Sequence, residues 1–377
     1  EIGEICEVNP KKSEIRELDQ STEISFVPMA DLSDDSILFQ PKQIKKISEV
    51  SSGYTYFKNN DVLLAKVTPC FENGKLGVAT NLVNGIGFGS SEFIVVRASN
   101  KILPKLIYYF FSRKEFKEMG KVQMTGTGGL QRVPTDFVKK YKIPLPPIED
   151  QELIVAELEV YQKIVDSARQ IVESWKPSFD IDSRWETEGL ENLAKMVRGP
   201  FGGSLKKEIF KPTGNLVYEQ HHAINNDFNF GRYYIDDAKF NEMKRFEVMT
   251  DDILVSCSGT MGKVAIVPAE HKKGIINQAL LKLSSDKSKI LPHYLKLILE
   301  STPIQQKYFQ NQSGVAIQNV SSVKVLSQIE IPLPSLEIQT KLIKKVSEEQ
   351  KIVDGNSRLI ELFEKKIEIR VKSIWES

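Results

Sequence analysis

The sequence predicts an α+β chain: two similar β-rich α/β domains separated by a pair of long antiparallel coiled-coil helices, with a pseudo-twofold internal repeat. Three observations predict it. The first is the repeat itself, which is the feature to look for before any other. KIPLPPIEDQ (142–151) returns as EIPLPSLEIQ (330–339), an offset of about 188 residues in a chain of 377. The same offset sets ILPKLIYYFFS (102–112) on ILPHYLKLILE (290–300), GKLGVA (74–79) on GKVAIV (262–267), and Ile2 and Ile5 on Leu190 and Leu193. A shift of three more brings NDVLLAKVT (60–68) onto DDILVSCSG (251–259). The second observation is that each copy begins with short β-branched runs bounded by turn residues. The third is that each ends in a long stretch of heptad spacing.

The elements follow in order. DVLLAKV (61–67), FIVVRA (93–98), DILVSC (252–257) and GKVAIV read as strands, being short, β-branched and bracketed by Gly, Asn, Asp and Pro. PKLIYYFFSRKEFKEM (104–119) carries apolar residues at helical spacing and predicts a helix after each ILP. The prolines of IPLP then forbid helix and force an extended segment. In the first long helix Ile154, Leu158, Tyr161, Val165, Ala168, Val172 and Trp175 step by alternating fours and threes, an a/d seam, and Pro177 ends it. In the second, Val346, Val353, Ile360, Ile367 and Ile374 recur every seventh residue, with Leu342, Ile352, Leu359 and Phe363 widening the stripe. A helix packed only on its own domain is the plainer reading. So regular a 3.5-residue period, twice in one chain, predicts that the helices pair with each other. The predicted organisation is a first domain over 1–146, a first spacer helix over 147–179, a second domain over 180–335 and a second spacer helix over 336–377.

Composition excludes several classes. The hydrophobic fraction is 41% and the charged fraction 27%, as in ordinary globular protein. Net charge is +1, which excludes a histone-like protein but not a basic face balanced elsewhere. No apolar run reaches the roughly 20 residues needed to span a bilayer, so no membrane association is expected. EIGEICEVNPKKSE at the start has no apolar signal core and no Met, which reads as a trimmed start or a piece of a larger protein. Cys6, Cys70 and Cys257 form no CxxC pair, and their odd number argues against a disulfide framework. The expected compartment is the reducing cytoplasm. Cys70 and Cys257 are expected to be buried structural thiols.

A search for catalytic chemistry finds none. Gly259-Thr260-Met261-Gly262-Lys263 has the wrong spacing for a phosphate loop, and Val264 stands where a magnesium-binding hydroxyl is needed. Gly85, Gly87 and Gly89 form GxGxG, but the strand-like FIVV follows rather than a helix. GPFGGS (199–204) fits neither motif. Leu145-Pro146-Pro147-Ile148 lacks the polar first and aromatic last residues of an amino-methyltransferase motif. No Gly-x-Ser-x-Gly elbow occurs. His221 and His222 read as polar loop residues, and no metal-ligand spacing is present, so no metal and no cofactor are expected in this chain.

What each copy offers instead is polar, turn-rich sequence suited to nucleic acid. Candidates in the first copy are Lys42, Lys45 and Lys46, then Lys66, Thr68, Asn73 and Lys75 around a turn, then Thr125, Thr127, Gln131 and Arg132 in a Gly-rich loop. In the second they are Ser204, Lys206, Lys207, Ser256, Ser258, Thr260 and Lys263, then Asn311, Gln312, Ser313, Gln318 and Asn319. Lys and hydroxyl groups serve phosphates, while Arg, Asn and Gln read base edges. The bland alternative is that loop lysines and asparagines are merely solvated. The loops at 125–132 and 313–319 stand out because both copies place them at the same point. Residues 147–179 hold seven acidic against three basic groups, which suits a helix that contacts protein rather than phosphate.

With the two tandem copies, IPLPPIEDQELIVAELE (143–159), IPLPSLEIQTKLIKKVSEE (331–349), GPFGGSLKK (199–207) and the tail LFEKKIEIRVKSIWES (362–377), the chain resembles the specificity subunit of a Type I restriction–modification system. The resemblance covers nearly the whole chain. It implies a non-catalytic subunit whose two β-rich parts are target recognition domains, each reading one half of a bipartite, asymmetric double-stranded DNA target. It implies that the helices set the gap and dock two methyltransferase subunits, with motor–nuclease subunits joining through the complex. S-adenosylmethionine, ATP and magnesium would then belong to those partners. The loops TGTGGLQR and SGVAIQN differ, so the half-sites are expected to differ. The start at Ile2-Gly3-Glu4-Ile5, without the lead-in that Trp185-Glu186 gives the second copy, leaves open the recognition part of a fused Type II (IIB/IIG-like) restriction–methylation enzyme. A coiled-coil scaffold that never touches DNA is the alternative from another class.

Overall fold

In the computed structural model residues 1–34, 36–127, 129–177, 179, 181–310 and 323–376 are described. The chain divides into two compact units: Glu1–Ser174 with Gly355–Ser377, and Trp175–Asp354.

The first unit holds two sheets. One runs in the order β1-β9-β6-β7-β3, with β1 Cys6–Val8, β3 Leu38–Phe39, β6 Asp61–Ala65, β7 Leu76–Ala79 and β9 Phe93–Ala98. All its pairs are antiparallel except β3 on β7. The other runs β4-β2-β8-β5, with β2 Glu23–Val27, β4 Gln43–Lys46, β5 Thr55–Lys58 and β8 Ile86–Gly89, and its central pair β2·β8 is parallel. Gly87 is required by packing, because a Cβ there would lie 2.1 Å from the Phe57 ring. The GxGxG segment is thus a turn and a tightly packed strand.

The predicted helix after ILP forms as two, Pro104–Ser112 and Lys114–Gln123, separated at the extended residue Arg113. Pro104 sits at the first helical turn, where its missing N–H costs nothing. The first long helix, Ile148–Ser174, is 27 residues or about 40 Å. Its residues Ile154, Val155 and Leu158 bury against the β-sheet core, as do Val371 and Ile374 from the end of the second long helix, Leu336–Glu376. These two helices pair antiparallel within the unit. Arg370 Nε donates to Glu157 Oε2 at 2.8 Å, Arg169 Nη2 donates to Glu364 Oε1 at 2.8 Å, and Tyr161 and Phe363 rings lie 5.5 Å apart. Trp375 packs edge-on to Phe110 at 4.6 Å.

The second unit repeats the plan. Its main sheet is β11-β17-β14-β15, with β11 Ala194–Arg198, β14 Ile253–Ser256, β15 Val264–Ile266 and β17 Leu280–Ser285, all antiparallel. A three-stranded sheet β13-β12-β16 joins β13 Tyr234–Ile235, β12 Asn215–Tyr218 and β16 Gly274–Ile276, and again contains one parallel pair, β12·β16. A two-stranded ladder pairs β10 Thr187–Gly189 with β18 Glu330–Pro332. The helix Pro292–Glu300 stands where Pro104–Ser112 stands in the first unit.

The three-residue shift in the repeat has a structural origin. Asn60 and Asp251 both hold a left-handed turn, φ 70° and 69°. The next residues, Asp61 and Asp252, accept from the backbone N–H of Lys58 and Met249 at 2.7 and 2.8 Å. Farther on, Ala65 N–H donates to Lys75 O, and Ser256 N–H donates to Lys263 O. The intervening turn is simply shorter in the second unit.

Several residues lie elsewhere than their sequence suggests. Trp175 falls just past the first long helix, although its indole N–H reaches Glu349 Oε2 at 3.3 Å. Ile352 and Leu359 do not widen the buried stripe: they are 63% and 40% exposed, while Val346 and Val353 are buried and Ile360, Phe363 and Ile367 half-buried. Val165 and Ala168 are buried, Tyr161 and Val172 half-buried. Cys257 is buried and its thiol is pushed up to about 11 by burial, whereas Cys70 is only half-buried. No helix among the described residues is long and apolar enough to cross a membrane.

Candidate nucleic-acid interface

In the first unit the loops after β2, β6 and β8 meet the Gly-rich loop at one end of the sheets. Lys66 N–H donates to Glu92 O, Val133 N–H to Lys66 O, and Thr68 N–H to Gln131 O. Thr125 and Arg132 exchange backbone bonds at 3.0 and 2.8 Å, which closes the loop they flank. This brings together Lys66, Thr68, Asn73, Lys75, Thr125, Thr127, Gln131 and Arg132. Asn73, Thr125, Thr127 and Gln131 are exposed.

Several of these groups are already engaged. Arg132 forks onto Glu92, with Nε at 2.9 Å and Nη2 at 2.7 Å from its two oxygens. That guanidinium holds the Glu92 carboxyl below its ordinary range. Lys66 Nζ donates to Ser91 O and Lys75 Nζ to Met29 O. Thr68 Oγ1 donates to Gln131 O at 3.2 Å. A ligand at Arg132 therefore meets a bidentate pair, a presentation that fixes the guanidinium plane.

Lys42, Lys45 and Lys46 sit apart, on or beside edge strand β4. Lys45 Nζ lies 3.8 Å from the Phe26 ring centroid, a cation–π contact, and Lys42 approaches Asp31 at 3.9 Å. Lys42 and Lys46 are exposed.

In the second unit the corresponding loops follow β12, β14 and β16. Cys257 N–H donates to Ala279 O, Asn277 N–H to Tyr218 O, and Gly199 N–H to Leu280 O. Thr260 and Lys263 are exposed here and Ser258 half-buried. Ser256 is a correction: it is fully buried and does not face a ligand. Its hydroxyl donates to Thr260 O at 2.7 Å and accepts from Lys263 N–H at 2.9 Å, so it staples the β14–β15 turn. Arg198 and Gln220, absent from the sequence-based set, stand at this end. Arg198 lies beside Cys257, Gln220 Nε2 is 3.7 Å from the Gly259 Cβ position, and Arg198 Nε and Gln220 Oε1 have no partner among the described residues. No spacing marks them, because strand pairing alone brings them there.

Ser204, Lys206 and Lys207 are exposed on short turns after Pro200, beside Phe201, which is 71% exposed. Asn311, Gln312, Ser313, Gln318 and Asn319 lie outside the described residues.

The histidines differ from their sequence reading. His222 is fully buried in the helix Gln220–Asn225, accepting from Glu219 N–H at Nδ1 (3.0 Å) and donating from Nε2 to Phe230 O (3.2 Å). Burial pushes its pKa down. His221 packs its ring 4.0 Å from Phe230. Among the described residues no group of three or more His, Cys, Asp or Glu is placed to hold a metal ion.

Comparison with known proteins gives a consistent result. Residues 1–174 and 183–372 each match the model of the family described as the Type I restriction modification DNA specificity domain. A 170-residue stretch, 45% of the chain, is 39% identical to the Type I restriction enzyme EcoAI specificity subunit of Escherichia coli. The chain spans only 28% of that protein's length. The putative type I restriction enzyme MjaX specificity subunit of Methanocaldococcus jannaschii is 23% identical over 97% of this chain and 92% of its own. Among solved structures, a chain from work on complex assembly and conformational transition of the type I R-M system superposes with a TM-score of 0.59. It is 16% identical, over 99% of this chain and 96% of that one, and shows the shared fold.

Proposed function

The chain belongs to the Type I restriction modification DNA specificity family, through both of its halves, and from that we propose that it is the sequence-reading, non-catalytic subunit of a Type I restriction–modification complex. Each unit reads one half of a bipartite, asymmetric duplex target. The observation that carries this reading is the pairing of one framework with unlike loops. Asp61 and Asp252 fix the same turn, and β6–β7 and β14–β15 form the same hairpin. The loops at the equivalent ends differ: a turn over 66–74 with an Arg132–Glu92 fork in one, a shorter turn with Arg198 and Gln220 in the other. Equal frames with unequal polar ends suit two different half-sites.

Phosphate contacts from Lys206, Lys207, Lys42 and Lys46 supply sequence-independent affinity, and groups such as Gln131, Arg132 and Gln220 supply base contacts. The helices fix the gap between half-sites and dock two methyltransferase subunits, with motor–nuclease subunits joining the assembly. S-adenosylmethionine, ATP and magnesium act in those partners, and the target bases are flipped into them.

Binding of a mixed-sequence duplex, followed by fluorescence anisotropy at rising salt, tests the reading. A DNA reader making about five phosphate contacts loses affinity with a log–log slope near −4.5. A coiled-coil scaffold shows no binding and no slope, and that result rejects the proposal.

A further inference from the structure

Strands β1 and β11 end on the same turn. Gly199 N–H donates to Leu280 O at 3.0 Å in the second unit, and Asn9 N–H donates to Val95 O at 2.8 Å in the first. A buried proline follows in both, Pro200 and Pro10. Next comes one extended residue: Phe201 at φ −95° and ψ 160°, and Lys11 at φ −82° and ψ 139°. A single turn of 3-10 helix then begins, Gly202–Leu205 in the second unit and Lys12–Ile15 in the first. Phe201 and Lys11 therefore occupy one backbone position, and both are exposed.

The ring at this position is unlike the other aromatic side chains. Phe201 is 71% exposed, whereas every other Phe, Tyr and Trp among the described residues is buried or half-buried. The turn holds it outward. Gly199 is required by packing, since a Cβ there would lie 1.8 Å from Asn277 O, and Ser204 Oγ donates to Phe201 O at 3.1 Å. A preset backbone lowers the ordering cost of any contact the ring makes. Lys206 and Lys207 are exposed just beyond, and Glu208 is the one acidic residue between Gly199 and Lys211. Gly199 and Cys257 bond to the adjacent carbonyls of Leu280 and Ala279. The Phe201 turn thus leaves the sheet at the same end as the β14–β15 turn with Thr260 and Lys263.

We propose, on the basis of the DNA-reading function above, that Phe201 is an apolar wedge. It enters between neighbouring base pairs of duplex DNA at the half-site read by the second unit. The setting favours a base step over a protein partner, because lysines beside the ring hold phosphates while the ring meets the apolar faces of partly unstacked bases. The first unit presents Lys11 at the equivalent place, a cation that suits phosphate and cannot wedge. Unstacking is therefore confined to one half of the target. Pyrimidine–purine steps unstack most readily, so the wedge adds a sequence preference without touching a base edge.

The test uses the full chain and a duplex that it enriches from a randomised library. Phe201→Ala should weaken binding by about tenfold with the salt slope unchanged, because stacking is lost and no phosphate contact is. Phe201→Trp should keep the affinity. The emission it adds over the native chain should be quenched by the duplex, as stacking on bases requires. Urea midpoints of both variants should match the native chain, since the ring is exposed. Equal affinities of the native chain and Phe201→Ala overturn the proposal and leave the DNA-reading function standing. Lost affinity without quenching in Phe201→Trp would mean a contact outside the base stack, and also overturns it. A loss seen only in the capture of a methyltransferase subunit would assign Phe201 to a protein contact instead. A native chain that binds no duplex rejects the DNA-reading function, and the wedge falls with it.

Discussion

Gln151 and Gln339 make the same three hydrogen bonds in the two units. Gln151 Nε2 donates to Lys101 O and Pro146 O at 2.9 and 2.8 Å, and its Oε1 accepts from Leu103 N–H at 3.0 Å. Gln339 Nε2 donates to Lys289 O and Pro334 O at 3.0 and 2.9 Å, and its Oε1 accepts from Leu291 N–H at 2.9 Å. Both side chains are fully buried. Each ties the start of a long helix to the extended proline segment and to the entry of the ILP helix. Proline leaves those carbonyls without a local ladder, and a glutamine amide has the donors and the acceptor to satisfy them.

Gln151→Ala and Gln339→Ala should therefore each destabilise the unit that contains them by about 2–3 kcal/mol, since three buried polar groups lose their partner. Urea unfolding followed by circular dichroism measures this. A cost below about 0.5 kcal/mol would mean that water replaces the side chain.

Much of this was legible in the sequence. The repeat, the strand FIVVRA and both long helices follow from spacing alone, because covalent periodicity is local information. What the spacing could not carry is which polar groups packing withdraws from solvent. Ser256 reads as a loop hydroxyl and is a buried turn staple. His222 reads as a loop residue, yet its neighbours Tyr218 and Phe228 enclose it. Ile352 and Leu359 satisfy an apolar stripe on paper, but the buried seam is narrower. Glu92 as the partner of Arg132 is 40 residues away and is set by strand pairing.

His222 predicts a pH response of the second unit. Its folded pKa lies below the unfolded value of about 6.5. The unfolded chain therefore takes up a proton first as pH falls, and stability drops below about pH 6.5 until the folded form also protonates. Urea midpoints at pH 7.5 and 5.5 should differ for the native chain and differ less for His222→Gln. NMR should find the ring neutral in the Nε2–H form at pH 7.5, and its titration should fall below that of an exposed histidine.

Glu157 predicts acid sensitivity of the helix pair. Hydrogen bonds from Tyr161 and Arg370 hold its carboxyl below the usual glutamate range. Its contribution is present above the unfolded value, about 4.3, and is lost as pH falls through the lower folded value. Because the pair is partly exposed, the effect is modest, at or below about 1 kcal/mol. Glu157→Gln should remove it, as read from thermal midpoints between pH 3 and 6.

Asp61 is nearly fully buried and forks onto Arg97 at 2.8 and 2.7 Å while capping Lys58 N–H. Asp61→Ala leaves the guanidinium without its main partner and should cost roughly 3 kcal/mol. Denaturant unfolding reads the loss, and Asp252→Ala, which removes the carboxylate facing the buried Lys282 and leaves it only the Glu247 carbonyl, should also destabilise its unit.

Lys206→Ala with Lys207→Ala should weaken binding about equally for all duplex sequences and flatten the salt slope by up to about 2. Gln131→Ala should instead leave the slope alone and relax selectivity at one position. Anisotropy titrations at several salt concentrations separate the two behaviours.

The most direct test is selection from a randomised duplex library by the purified chain, with the bound DNA sequenced. Two units with one frame and unlike loops predict two different short motifs at a fixed gap. Lengthening the long helices by a turn should move the gap and leave both motifs intact. Binding without any enriched motif at low salt, in the chain alone and again with a methyltransferase partner added, would contradict the account.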